Sequence, residues 1–267
     1  MDWFQAVILA LIQGLTEFLP VSSSAHLILP SQLFGWPDQG LAFDVAVHLG
    51  TLVAVVTYFR QDIFSIIKGL LQSTQTRKLN VEAQLGMSVV IGTIPAVIIG
   101  FLFKDFIEDN LRSGLVIAVT TIFFGLLLWQ ADKMGKRILD MSRLTSNHAL
   151  LIGVAQALAL IPGTSRSGIT MTAALMLGFD RTSSARFSML LSIPLIVAAS
   201  ILECYELYSQ TAPVPWLLIG LGMVVATVSA YLCIHYFLKL LEGIGMLPFV
   251  IYRMILGVFL LIFIGLA

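Results

Sequence analysis

Charge is what this chain has least of. Asp, Glu, Lys and Arg make up 11% of its 267 residues against 58% hydrophobic ones, and the mean hydropathy is +0.96. A soluble globular domain, with about a quarter of its residues charged, is excluded. Acidic and basic residues balance at 15 each, so there is no basic footprint for nucleic acid and no acidic tail for a basic partner. Cysteine is nearly absent as well. Cys204 and Cys233 lack CxxC spacing and sit in or near apolar runs, which excludes a disulfide framework and leaves two small hydrophobes among helices. The ten-residue alternation of a barrel strand is missing. The first 18 residues are apolar but carry no basic n-region and no small-residue cleavage site, so they do not read as a removable signal.

What the chain does have is apolar runs long enough to cross a bilayer as helix, which takes about 20 residues. The expected class is an all-α polytopic membrane protein embedded in the lipid bilayer as one domain. Two runs break early. Trp3–Phe18 and Ala25–Phe34 are each too short to span, and Pro20 with the Ser22-Ser23-Ser24 run separates them. Two half-length helices around a polar break describe a re-entrant hairpin, tolerated where the break is buried in protein or faces a water-filled cavity. Three full spans follow: Phe43–Phe59, Leu85–Phe103 and Gly114–Gln130, with Arg60–Glu82 a partly amphipathic connection and Lys104–Arg112 a short acid-leaning loop.

The opening pattern recurs after residue 148: a half-helix, Pro162, a hydroxyl cluster, a short piece to Leu177, then spans near Phe187–Tyr208, Trp216–Leu238 and Leu247–Leu266. Pro20 and Pro162 are 142 residues apart, which lays Ser23 on Ser165 and Ser24 on Arg166. Two repeats result, about 1–130 and about 149–267, joined by a connection at about 131–148. Assigning Arg60–Glu82, Asp132–His148, Phe179–Arg186 and Lys239–Gly245 to one side collects 11 of the 15 Lys and Arg residues, which makes that side cytoplasmic. Counting crossings then inverts the second repeat against the first. Both termini fall outside, and the two polar tips meet near the midplane.

Glu17, His26, Arg166 and Arg253 remain as ionisable groups within apolar sequence. Each costs about 2.5–3.5 kcal/mol on insertion scales when charged at a helix centre, so each needs a reason. Gln13 and Glu17, four residues apart, share a helix face, and the serines sit where a second helix starts with its N–H groups free, the geometry of an anion site. Glu17 pairing with Arg166 as a structural counter-ion is one reading; catalytic or metal-binding work is the other, favoured by Gln13, His26 and the surrounding hydroxyls. Pro162–Gly168 reads as a phosphate cradle. Gly163 and Gly168 permit close backbone approach, Thr164, Ser165 and Ser167 donate hydroxyls, and Arg166 offers a bidentate guanidinium. Arg253 either reaches that cavity or snorkels to the cytoplasmic surface. His48 and His235 read as packed or interfacial, His148 as a loop residue, and Asp44 as helix N-terminal charge. Gly220-Leu-Gly222 offers a small-residue surface for packing within one chain or across a homodimer.

On these motifs the sequence resembles the undecaprenyl-diphosphate phosphatase family of bacitracin-resistance membrane enzymes, over nearly the whole chain. The family's first motif matches Gln13 through His26, with Gln13 where some members have Glu, and its second, Pro-Gly-x-Ser-Arg-Ser-x-x-Thr, matches Pro162 through Thr170. The resemblance implies hydrolysis of a polyprenyl diphosphate lipid, undecaprenyl diphosphate, to the monophosphate and inorganic phosphate, recycling the carrier for peptidoglycan. It implies a bacterial cytoplasmic (inner) membrane location and a site open to the periplasm. A divalent metal, Mg²⁺ or Ca²⁺, is also implied, and bacitracin would act by sequestering the substrate rather than binding the protein. Read onto this chain, Glu17, Ser23, His26 and Arg166 are the expected catalytic residues. Ser22, Ser24, Gly163, Thr164, Ser165, Ser167 and Thr170 are expected at the phosphate, and Glu17 with Gln13 at the metal. Broken helices meeting at the midplane also suit a transporter or flippase of a polyprenyl phosphate lipid, the rival class.

Overall fold

A computed structural model describes residues 1–208 and 215–266. Among the described residues the protein is helical, with eleven α-helices and two 3₁₀ turns. Six of the helices are long and apolar enough to cross a membrane, so the chain is a multi-pass membrane protein. The six are α3 (Leu41–Tyr58), α5 (Val81–Asn110), α6 (Gly114–Met134), α9 (Arg181–Tyr208), α10 (Trp216–Ile244) and α11 (Leu247–Leu266).

The short helices come in two broken pairs. In the first, α1 (Trp3–Thr16) is started by a capping box in which Asp2 accepts from the Gln5 N–H and Gln5 returns the bond. It ends before Pro20, and α2 (Ser23–Phe34) begins at the serine run. In the second, α7 (Ser146–Ala157) runs through a 3₁₀ turn, Leu158–Leu160, to the break, and α8 (Arg166–Met176) follows. The two breaks share a backbone. The residue before each second helix, Ser22 and Ser165, has φ of 75° and 71°, a left-handed conformation that serine seldom takes. This equivalence places the halves 143 residues apart rather than 142, so Ser23 corresponds to Arg166 and Ser24 to Ser167. Prolines mark the breaks less faithfully than helix starts do, because Pro20 and Pro162 sit at different distances before those starts. The same offset matches Gln13 with Gln156, both fully buried.

Each broken pair leans on the opposite half: α1 packs on α10, and α7 on α5. Close approach depends on glycine at two points. A Cβ on Gly14 would lie 2.8 Å from the Ala226 carbonyl oxygen, and one on Gly153 would lie 2.4 Å from that of Gly92. Gly222 likewise packs within the chain, where a Cβ would meet the Phe43 ring at 2.5 Å, whereas Gly220 has open space beside it. The main apolar core gathers Phe18, Val55, Leu128, Met171, Leu190, Phe237 and Val250, so the floor of the first break belongs to the same core as five spanning helices.

Three expected boundaries move. Residues 60–76 form α4 (Arg60–Thr76), which the Phe64, Ile67 and Leu71 spacing supports at helical period. The expected loop at Lys104–Arg112 is helix as far as Asn110, with non-helical dihedrals at Phe103 only. The cytoplasmic connection expected at Lys239–Gly245 is mostly the end of α10, which reaches Ile244. Polar sequence marked these stretches as connections between spans, yet polar residues extend a helix without cost once it leaves the apolar slab. Between the expected spans Phe187–Tyr208 and Trp216–Leu238, residues 209–214 lie outside the described residues.

Candidate functional site

The breaks meet through side chains at opposite ends of the sequence. Glu17, just past α1, places both carboxylate oxygens among donors. Oε1 accepts from Arg166 Nη2 at 2.8 Å, and Oε2 accepts from Ser23 Oγ at 2.8 Å and Gln13 Nε2 at 3.0 Å. Helical geometry explains part of this: Gln13 is one turn before Glu17, whose own N–H still donates to the Gln13 carbonyl at 3.0 Å. Ser23 arrives because the left-handed Ser22 turns the chain sharply back into α2. Arg166 stands at the same place in α8 that Ser23 holds in α2.

This ion pair is largely out of solvent, with side-chain exposures of 12% for Arg166 and 9% for Glu17. The Arg166 guanidinium lies 5.9 Å above the ring of Phe18, and its Nη1 donates to the Ser188 carbonyl at 3.1 Å. A guanidinium has five N–H donors. Two are used here, which leaves the remainder for an anion. The structural counter-ion and the chemical reading of Glu17 are therefore one arrangement: the pair exists, and a hydroxyl sits on its second oxygen.

The other predicted residues divide. Ser22 and Ser24 pair through their hydroxyls at 3.2 Å, as do Ser165 and Ser167. Ser167 Oγ also donates to the Leu19 carbonyl at 2.7 Å, joining the two breaks directly. Ser165 Oγ caps α8 by accepting the Gly168 N–H at 3.1 Å. Thr170 Oγ1 meets Ser188 Oγ at 2.7 Å, and Thr164 is fully buried with its hydroxyl unpartnered. Gly163, at φ +88°, allows close approach to α6, since a Cβ there would lie 2.5 Å from the Ile117 carbonyl oxygen. A Cβ on Gly168 would lie 3.0 Å from Arg253 Nη1. Both glycines thus admit protein neighbours. His26 is not hydrogen-bonded to the Glu17 group. Its Nδ1 bonds the Ser22 carbonyl at 2.7 Å and its Nε2 faces the Tyr252 hydroxyl at 2.5 Å.

Arg253 turns inward. It is fully buried, and snorkelling to the surface is overturned. Nε donates to the Thr121 carbonyl at 3.0 Å, Nη1 to Pro20 at 3.3 Å and Thr164 at 3.0 Å, and Nη2 to Gly163 at 3.0 Å and Thr120 at 3.5 Å. Every donor of this guanidinium is committed to a backbone carbonyl, so it braces both breaks and α6. Ser188, Tyr252 and Thr120, whose hydroxyl donates to the Pro162 carbonyl at 2.6 Å, escaped the sequence reading. A span tyrosine reads as an interface residue, and a carbonyl partner leaves no trace in sequence. His48 lies nearer the site than a packed or interfacial histidine would, close enough for its charge to act on Glu17, and its Nδ1 bonds the Asp44 carbonyl at 2.8 Å.

A metal site can be tested on its donors. Gln13 is buried, and with its amide nitrogen on Glu17 its Oε1 has no partner. Gln13 Oε1, the Glu17 carboxylate and Ser23 Oγ are hard oxygen ligands of the kind that suit Mg²⁺ or Ca²⁺. Among the described residues no group of three or more His, Cys, Asp and Glu side chains forms a cage. The set fits an ion completed by substrate oxygens, as Mg²⁺ at phosphate sites usually is.

Comparison with known proteins matches residues 6–259 to the family model for "Bacitracin resistance protein BacA". The chain is 61% identical over 261 residues to the "Undecaprenyl-diphosphatase" of Alcanivorax borkumensis, covering 98% of each protein. It is 58% identical over 265 residues to the protein of the same name from Chromohalobacter salexigens, covering 99% of this chain and all of the relative. Against "Undecaprenyl-diphosphatase 2" of Stutzerimonas stutzeri the identity is 59% over 265 residues, with 98% of each covered.

Proposed function

The chain belongs to the bacitracin resistance protein BacA family, and from that membership we infer that it is an undecaprenyl-diphosphatase, hydrolysing undecaprenyl diphosphate to undecaprenyl phosphate and inorganic phosphate. The observation that carries the local chemistry is the Ser23 hydroxyl on one oxygen of Glu17 while Arg166 holds the other. A diphosphate needs its charge neutralised and its terminal phosphorus held in line with a nucleophile. The unused Arg166 donors and the α8 N-terminus supply the first requirement. Ser23 supplies the second.

In the proposed sequence, Ser23 Oγ bonds to the terminal phosphorus as its proton passes to Glu17. The bond from that phosphorus to the bridging oxygen breaks, and undecaprenyl phosphate leaves. Water then attacks the phosphoserine; its oxygen and both hydrogens depart with inorganic phosphate, and the Glu17 proton returns to Ser23. His26, joined to the first break through the Ser22 carbonyl, is the proton carrier in the second step, taking one hydrogen from the attacking water at Nε2 and returning it to the departing phosphate. Ser22, Ser24, Thr164, Ser165, Ser167 and Thr170 shape the phosphate-facing walls. A divalent ion held by Gln13 and Glu17 would supply charge neutralisation on the diphosphate.

The halves are read as inverted repeats, each a re-entrant hairpin with three spans, in a bacterial inner membrane. Matching backbones at Ser22 and Ser165, and the crossed packing of α1 on α10 and α7 on α5, support this reading. The Lys and Arg bias supports termini and site mouth on the periplasmic side. The test is phosphate release from undecaprenyl diphosphate by purified protein in detergent. Glu17→Ala and Arg166→Ala are expected to abolish it, and a rapid quench should trap phosphoserine in the native protein and none in Ser23→Ala. Substantial turnover by Ser23→Ala would overturn the covalent step in favour of direct attack by water. A folded native protein that releases no phosphate would favour the transporter reading.

A further inference from the structure

The His26 imidazole is held at both ring nitrogens, and one holder comes from the far end of the chain. Nδ1 lies 2.7 Å from the Ser22 carbonyl oxygen. A carbonyl offers only lone pairs, so this nitrogen carries the hydrogen. In the neutral ring Nε2 is then the acceptor, and the group facing it at 2.5 Å is the Tyr252 hydroxyl, which must donate. The two rings are nearly parallel, 9° apart in plane with centroids separated by 5.5 Å. Tyr252 is placed by its neighbour. Arg253, with five bonds to the two breaks and to α6, fixes this turn of α11 against the hairpins.

Exposure separates the two partners. His26 is 8% exposed and Tyr252 44%, so the imidazole is enclosed while the phenol stands half open beside it. A phenylalanine at 252 would fill the same volume. The Ser22 carbonyl sets the hydrogen on Nδ1, and what a phenylalanine would remove is the donor that the Tyr252 hydroxyl supplies to Nε2.

We propose that Tyr252 is a positioning residue for His26: its hydroxyl donates to Nε2, holds the ring whose Nδ1 hydrogen Ser22 has set in one orientation, and gives up that bond when Nε2 takes a proton during hydrolysis. The proposal rests on the reading of His26 as the proton carrier. Its test uses full-length protein labelled with ¹⁵N-histidine in detergent, the His26 resonances being identified by their loss in His26→Gln. In the native protein His26 should show a protonated Nδ1 and a hydrogen-bonded, unprotonated Nε2, and Tyr252→Phe should shift the Nε2 resonance. Tyr252→Phe should also lower kcat about tenfold with KM changed less than about twofold, a transition-state effect. In the His26→Gln background the same substitution should change kcat by less than about twofold.

A native His26 with its hydrogen on Nε2 overturns the proposal, and this measurement needs no variant that might misfold. Equal loss of kcat from Tyr252→Phe with and without His26 also overturns it. Full turnover by His26→Gln would instead remove His26 from proton transfer, and with it the catalytic half of the proposal, while the ¹⁵N spectra would still report on the Tyr252 bond to Nε2.

Discussion

The two breaks have one backbone and two chemistries. Ser22 and Ser165 take the same left-handed turn, each with a neighbouring hydroxyl pair at 3.2 Å, and each launches a short helix. From there they part. The first side chain of α2 is Ser23, resting on a carboxylate; the first of α8 is Arg166, resting on that same carboxylate from the other side. Gln13 reaches Glu17, whereas its counterpart Gln156 spends its amide on the Gly92 carbonyl at 3.2 Å. A repeated scaffold delivers two side chains to one point, and unlike residues at equivalent positions make that point reactive. Two like residues there would give a like-charge pair or two uncharged hydroxyls.

The largest effect should come from removing what holds the breaks together. Arg253→Lys replaces five donors with three and strands carbonyls of both breaks in a dry interior. Breaking such a buried charged network costs about 3–5 kcal/mol. Thermal unfolding in detergent should then fall by about 10 °C, with turnover lost even though Glu17, Ser23 and Arg166 are intact. Unchanged unfolding would mean the two breaks are held by other contacts.

A smaller change sharpens the difference between the two glutamines. Gln13→Glu adds a second carboxylate beside Glu17, and the metal concentration that half-restores activity after chelation should fall about tenfold, the scale on which ligand changes alter metal affinity. If that concentration is unmoved, Gln13 does not face the ion. The smallest effect tests the shared turn. Ser22→Gly removes left-handed strain from a residue that makes no side-chain cap, and should raise stability by about 1 kcal/mol. Ser165→Gly relieves the same strain but gives up the cap on Gly168, so its gain should be smaller by a few tenths of a kcal/mol. Equal shifts in unfolding temperature would deny the cap any role.

Much of this site was legible because a bilayer makes polar residues conspicuous. Glu17, Ser23 and Arg166 stood out against apolar neighbours, and the double break suggested that they meet. The register did not follow from the prolines, since the shared feature is a serine dihedral that composition does not reveal. Arg253 was visible, but its direction was not: five carbonyl partners from three parts of the chain have no sequence signature. Tyr252 was hidden by being ordinary for a membrane span. The helix α4 was recoverable from the spacing of Phe64, Ile67 and Leu71, and was obscured by Arg60, Asp62 and Lys68 along it.

The brace formed by Arg253 has a mechanical consequence. Alternating access requires one half of a protein to rock against the other, opening first one side and then its opposite. Here a single guanidinium is bonded at once to the carbonyl of Pro20 in one half and those of Gly163 and Thr164 in the other, with Ser167 on Leu19 and Arg166 on Glu17 alongside. Any rocking that separated the breaks would strip all of these partners away within the protein interior. The pin lies at the centre of what would have to be the hinge, which makes this arrangement suited to a stationary chamber through which substrate and product pass while the walls stay put.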